Sequence, residues 1–147
     1  MAKILVVDND SAHREEIAGI LRDSGHAVEA REDTVGLADA AHTLSPDLII
    51  LDIHFPEHPH AGIEAARDLS ADPQLCQVPI LVLSAFNQES GLPFRLTEAD
   101  ISEDFLPIDS FLDKPATSAQ ILERVETLLS PEWRPRIQRC RGREPCA

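Results

Sequence analysis

The stretch Pro46-Asp47-Leu48-Ile49-Ile50-Leu51-Asp52 constrains this chain most. Leu48 to Leu51 is an unbroken apolar run, too short for a helix and opened by a Pro-Asp turn signal. Such a run reads as a strand buried on both faces, and strands of that kind belong to parallel sheets covered by helices. Ligands of open α/β sheets sit beyond the carboxyl ends of the strands, so Asp52, which ends the run, is expected to face the functional crevice. Two other strand ends carry matching chemistry. Ile4-Leu5-Val6-Val7 runs into Asp8-Asn9-Asp10, and Phe111-Leu112-Asp113 runs into Lys114-Pro115.

The rest of the chain alternates around these runs. Residues 3–7 read as a first strand, and Asp10 or Ser11 can cap a helix that reaches about Ser24 and stops at Gly25. Its inner stripe is Ile17, Ala18, Ile20 and Leu21, while Arg14, Glu15, Glu16, Arg22 and Asp23 are expected to face water. Residues 26–30 alternate like a short strand near a sheet edge. A second helix is expected to open at Asp33 or Thr34, with Val35, Leu37, Ala38, Ala41 and Leu44 on its apolar face, and to end before Pro46. Helical spacing over 62–69 and an apolar strand over 78–84 follow. One helix is expected near 97–105 in an otherwise irregular 85–107 stretch, then a strand over 108–112. Thr117 with Gln120 makes a capping box for a last helix built on Ile121, Leu122, Val125, Leu128 and Leu129. Five strands alternating with five helical segments predict an α/β fold, a doubly wound parallel sheet with helices on both faces.

A chain of 147 residues fits one domain, placed at 1–130, with a core large enough to need no metal or disulfide. Residues 1–130 carry 24 Asp and Glu against 8 Lys and Arg, a net of −16, whereas 131–147 carry five Arg against two Glu. That field repels nucleic acid and anionic membrane, so neither is an expected direct partner. Most acids outside the strand ends read as solvated surface. No apolar stretch is long enough to span a bilayer and no signal-peptide pattern opens the chain, which predicts a cytoplasmic protein. The basic 131–147 tail, with three prolines and no periodicity, is expected to be disordered, Trp133 being the residue able to dock.

Transfer of a phosphoryl group to a carboxylate needs a nucleophilic oxygen, a divalent cation, acids to hold it, and donors for the phosphoryl oxygens. Asp52 supplies the first. Asp8 with Asn9 or Asp10 supplies oxygen ligands for Mg²⁺, which takes only one or two protein carboxylates and keeps several waters. Lys114 is a compact cation suited to a phosphoryl oxygen, and Ser84 ends its own strand with a hydroxyl donor. Parallel strands would bring these scattered residues together.

In these motifs the chain resembles the response-regulator receiver domains of two-component signalling, over roughly residues 2–130. The matching segments are Ile-Leu-Val-Val-Asp at 4–8, Pro-Asp-Leu-Ile-Ile-Leu-Asp at 46–52 with Pro56 beyond, Pro-Ile-Leu-Val-Leu-Ser at 79–84, and Phe-Leu-Asp-Lys-Pro at 111–115. The resemblance implies a flavodoxin-like sheet of order 2-1-3-4-5. It implies Asp52 as phospho-acceptor, Lys114 as the family's lysine, Ser84 as the switch hydroxyl, Phe111 as the aromatic switch and the His54 carbonyl as a further metal ligand. It also implies a sensor histidine kinase or phosphotransfer protein as donor. With no output domain after residue 130, the expected output is a downstream protein, a phosphorelay step or homodimerisation.

The chain departs from the family pattern at Asn9, where a second acid is usual, and in longer 56–62 and 84–114 stretches. Asn9 brings an oxygen without charge and predicts weaker Mg²⁺ binding. A pseudo-receiver adaptor that binds a partner without efficient phosphorylation is therefore the alternative reading. A haloacid-dehalogenase-like phosphohydrolase, with Asp8 as nucleophile and Asp10 as acid/base, ranks third. It leaves Asp52 unexplained, and no acidic metal motif follows Lys114. His54, His58 and His60 read as solvated loop histidines rather than a zinc site, since no carboxylate or cysteine is convincingly placed with them.

Overall fold

The computed structural model describes residues 2–52, 61–84, 108–113 and 116–133. The apolar runs become strands: β1 (Lys3–Val7), β2 (Ala27–Arg31), β3 (Leu48–Leu51), β4 (Ile80–Ser84) and β5 (Ser110–Asp113). They form one sheet of order β2-β1-β3-β4-β5, with every neighbouring pair parallel. The described helices are α1 (Ser11–Asp23), α2 (Leu37–Leu44), α3 (Ala61–Ala71) and α4 (Ser118–Leu129). The helix expected near 97–105 lies outside the described residues.

Alternation along each strand divides the core in two. Leu5, Val7, Ile49, Leu51, Ile80 and Val82 face one side, where they pack with Leu37 and Ala41 of α2 and Ala66 and Leu69 of α3. Ile4, Val6, Leu48, Ile50, Leu81 and Leu83 face the other, with Ile17 and Leu21 of α1 and Ile121, Val125 and Leu128 of α4. Strands sandwiched this way must be apolar at every position, which is why the runs in β1, β3 and β4 show no polar alternation. β2 is an edge strand covered less completely, and its alternation reflects that. Trp133 is partly buried against the α1 and α4 side. Among the described residues no helix is long and apolar enough to cross a membrane.

Helix ends follow local chemistry. Gly25 takes φ +92° just after α1, a conformation that suits glycine. The Thr117 and Gln120 box at the start of α4 forms in both directions, at 2.9 and 3.1 Å. The second helix starts later than the sequence predicts. Asp33 Oδ1 accepts the Val35 N–H, Leu37 N–H is bonded to Thr34 O, and Gly36 adopts φ +66°. A turn therefore occupies 33–36, α2 opens only at Leu37, and Val35 is left exposed rather than on an apolar face. Arg31 holds this turn by donating from Nη2 to Val35 O.

One ion pair joins the α2 side to the chain entering β4. His42 Nε2 donates to Asp72 Oδ2 at 2.6 Å. The Asp72 hydrogen bond raises the pKa of His42 above 6.5, outweighing the opposing effect of desolvation. Burial pushes the Asp72 carboxyl up, but N–H groups at Gln74 and Leu75 and the His42 ring outweigh it and bring it below 3.8. A raised histidine stabilises the fold fully below its unfolded pKa and loses that contribution as pH rises through the folded one. A depressed carboxyl stabilises above its unfolded pKa and loses the contribution as pH falls. The melting-temperature difference between the native protein and His42→Ala is thus expected to peak between pH 3.8 and 6.5 and to shrink in alkaline buffer. Thermal melts across pH check this, and a difference that grows above neutrality contradicts the pairing.

Candidate functional site

The register of β1 with β3 pairs Val7 with Leu51, so the next residues, Asp8 and Asp52, leave neighbouring strands side by side. The ladder extends one step beyond the strands, Asp52 N–H donating to Val7 O at 2.9 Å and Asp8 N–H to Arg31 O at 3.0 Å. Adjacent strands lie about 4.8 Å apart, so two carboxylates converge at the carboxyl end of the sheet centre. Both are buried, at 1% exposure for Asp8 and 4% for Asp52. Desolvating two like charges together is costly unless a cation or donors meet them.

The turn after β1 fixes Asp8 further. Its Oδ1 accepts the Asp10 N–H at 2.9 Å, and its carbonyl accepts from Arg14 Nη1 at 2.9 Å. Asp10 is the N-cap of α1, its Oδ1 accepting from Ala12 and His13 N–H at 2.9 and 3.1 Å, with Oδ2 3.5 Å from His13 Nδ1. The carboxylate considered as an extra metal ligand is thus committed to the helix. Asn9, between the two acids, is exposed.

On the other side of β3, Leu51 pairs with Val82, and Ser84 ends β4 opposite Asp113 of β5. Lys114 follows Asp113 in sequence but lies outside the described residues, as do the His54 carbonyl, His58 and His60. Phe111 is packed in the core on the α2 and α3 side, 5% exposed. Arg124 of α4 donates from Nη1 to Ser110 Oγ at 2.6 Å and to Phe111 O at 3.3 Å. β5 is therefore gripped from one face by α4 while its aromatic side chain fills the other.

The oxygen-only chemistry of Asp8, Asp52 and the Asn9 amide fits a hard divalent cation that keeps most of its water. Among the described residues, no group of three or more His, Cys, Asp or Glu side chains gathers as a metal cage.

Two features escape a reading of the sequence. Arg14, which the helical pattern places toward water, reaches back to the Asp8 carbonyl; its place in the first turn of α1, six residues after Asp8, is the available signal. Asp109, inside the strand expected over 108–112 and given no role there, is 5% exposed and accepts the Ile80 N–H at 2.7 Å. It serves the opposite end of the sheet, where β4 begins, and no local pattern marks it.

The response regulator receiver domain model matches residues 4–126. Response regulator MprA proteins of Mycobacterium sp. (strain KMS) and Mycobacterium tuberculosis (strain ATCC 25177 / H37Ra) are each 33% identical over 127 residues, covering 86% of this chain and 50% of the relative. The chain thus spans about half the length of the curated relatives it matches. Chemotaxis response regulator CheY4 of Vibrio cholerae superposes with a TM-score of 0.69 at 24% identity, covering 88% of this chain and 99% of that one. The signal receiver domain of a histidine kinase from Syntrophus aciditrophicus superposes at 0.71 with 24% identity, covering 91% and 94%. NtrX from Brucella abortus, in complex with ADP, gives 0.67 at 26% identity over 87% of this chain and 26% of its own.

Proposed function

The chain belongs to the response regulator receiver domain family of two-component signalling, and we propose that it accepts a phosphoryl group on Asp52 from a histidine kinase or phosphotransfer protein. The reading rests on one observation above the rest: two buried carboxylates, Asp8 and Asp52, at neighbouring parallel strand ends. In the transfer, a carboxylate oxygen of Asp52 bonds to phosphorus as the P–N bond of a phosphohistidine breaks. The electron pair leaves on the imidazole nitrogen, and the product is an acyl phosphate. Mg²⁺, when bound, screens the charge of the phosphoryl oxygens from the acids.

The chain's own residues divide the remaining work. Asp8, the Asn9 amide oxygen, Asp52 and the His54 carbonyl hold the cation. Lys114 and the Ser84 hydroxyl contact phosphoryl oxygens, and Phe111 and β5 carry the change outward to a partner. The receiver unit is 1–130, with 131–147 as an appended basic tail. The kinase places the exchange in the cytoplasm. Intact mass after incubation with Mg²⁺ and a small acyl phosphate tests the reading. A single phosphoryl adduct supports it; no adduct at high Mg²⁺ moves the chain to the adaptor reading that Asn9 favours.

Asn9→Asp is expected to tighten Mg²⁺ binding about tenfold, ~1.4 kcal/mol, by adding a charge beside the ion. The same charge adds repulsion among neighbouring carboxylates, so the metal-free variant should melt lower and gain more from Mg²⁺. Melting curves with and without Mg²⁺ read both effects, and equal Mg²⁺ gains in the two proteins would remove Asn9 from the metal site.

A further inference from the structure

We propose that Arg14 is a positioning residue for Asp8, and through it for the divalent cation. The inference rests on the reading of Asp8 as a metal ligand. Among the contacts that fix Asp8 are three hydrogen bonds. Its N–H donates to Arg31 O at 3.0 Å, a continuation of the ladder that any sheet of this register makes. The other two belong to this sequence. Arg14 Nη1 donates to the Asp8 carbonyl, and Asp10 N–H donates to Asp8 Oδ1, each at 2.9 Å. Arg14 N–H is itself bonded to Asp10 O at 2.9 Å.

These bonds close a ring. It runs from the Asp8 carbonyl through the Arg14 side chain to the Arg14 backbone, then through Asp10 back to the Asp8 carboxylate. The ring sets the plane of the Asp8–Asn9 peptide and the height of the Asp10 amide, and so the direction of the carboxylate. A guanidinium donor makes a stronger bond than a neutral one, and Arg14 is only partly exposed. A site with few protein ligands depends on those ligands being held in place before the ion arrives. Arg14 also carries a positive charge that disfavours a nearby cation. Arg14 is itself partly exposed, so solvent screens that effect, whereas the hydrogen bond acts on the ligand directly, so positioning is the larger of the two.

Calorimetric titration of Mg²⁺ into the native protein, Arg14→Gln and Arg14→Lys tests this, together with exchange of the Asp10 amide proton. Arg14→Gln is expected to bind Mg²⁺ roughly tenfold more weakly and to exchange the Asp10 amide faster, with an unchanged melting temperature. Arg14→Lys, which keeps the charge and one donor, is expected to fall between. Mg²⁺ binding by Arg14→Gln that equals or exceeds that of the native protein overturns the proposal. If the native protein itself takes up no Mg²⁺, the metal reading of the site fails. The amide then decides the placement of Asp8: faster exchange in Arg14→Gln upholds it, and unchanged exchange refutes it.

Discussion

Asp52→Ala is expected to take up no phosphoryl group from an acyl phosphate donor, a loss of roughly three orders of magnitude or more in transfer rate. The expectation follows from position as well as residue type. Asp52 is the first residue beyond the central strand, its N–H is tied to Val7 O, and its carboxylate is buried beside Asp8. No other described acid ends a strand flanked by neighbours on both sides at the sheet centre except Asp8 itself. Asp8→Asn separates the two. It leaves the acceptor in place but removes a charged metal ligand, so slow uptake that rises with Mg²⁺ concentration is expected. If instead the adduct survives in Asp52→Ala, and phosphatase turnover disappears in Asp8→Asn, the haloacid-dehalogenase reading replaces the receiver one. Asp52→Ala should fold at least as stably as the native protein, because it removes one of two neighbouring buried carboxylates. A melting curve beside the mass measurement excludes unfolding as the cause of lost uptake.

Ile50→Ala is expected to destabilise the domain by roughly 2–5 kcal/mol, a large share of the roughly 5–15 kcal/mol that holds a typical domain together. Ile50 lies in β3, paired with Val6 on one side and Leu81 on the other, and is 1% exposed. Truncation leaves a void between the central strand and the layer of α1 and α4. The strands are hydrogen-bonded on both sides and the helices already packed, so little can move in to fill it. For a chain of this length each kcal/mol corresponds to about 2–4 °C, so a fall on the order of 10 °C is expected. Glu29→Ala, at an exposed position of the edge strand β2, supplies the contrast and should stay within about 0.5 kcal/mol of the native protein. Equal losses at the two positions would mean that the sheet centre is not the stability core.

The central strands were legible in the sequence because burial on both faces leaves a run of apolar residues that nothing else explains. Residues Ile4 to Val7, Leu48 to Leu51 and Ile80 to Leu83 are all buried. The acids that end the first two runs were legible for the same reason: a carboxylate directly after such a run stands at the crevice of a parallel sheet. The capping box at Thr117 was readable because both partners lie within four residues. The sequence places the opening of α2 too early, because Asp33 and Thr34 have the chemistry of a helix cap. What decides there is the left-handed Gly36 and the carbonyl of Val35 being taken by Arg31.

By itself, then, the sequence determined the layers, the strand order through its family motifs, and the acid pair, since each depends on local composition or on which residues follow a buried run. Only the tertiary structure decided what the polar side chains outside the helix caps reach. Arg14 turns back to the Asp8 carbonyl, Asp109 serves β4 from twenty-nine residues away, and Arg124 holds β5. The physical reason is that apolar burial is non-directional and leaves its mark on every residue of an element. A hydrogen bond is satisfied by one partner at about 2.9 Å, and that partner is fixed only when the chain has folded.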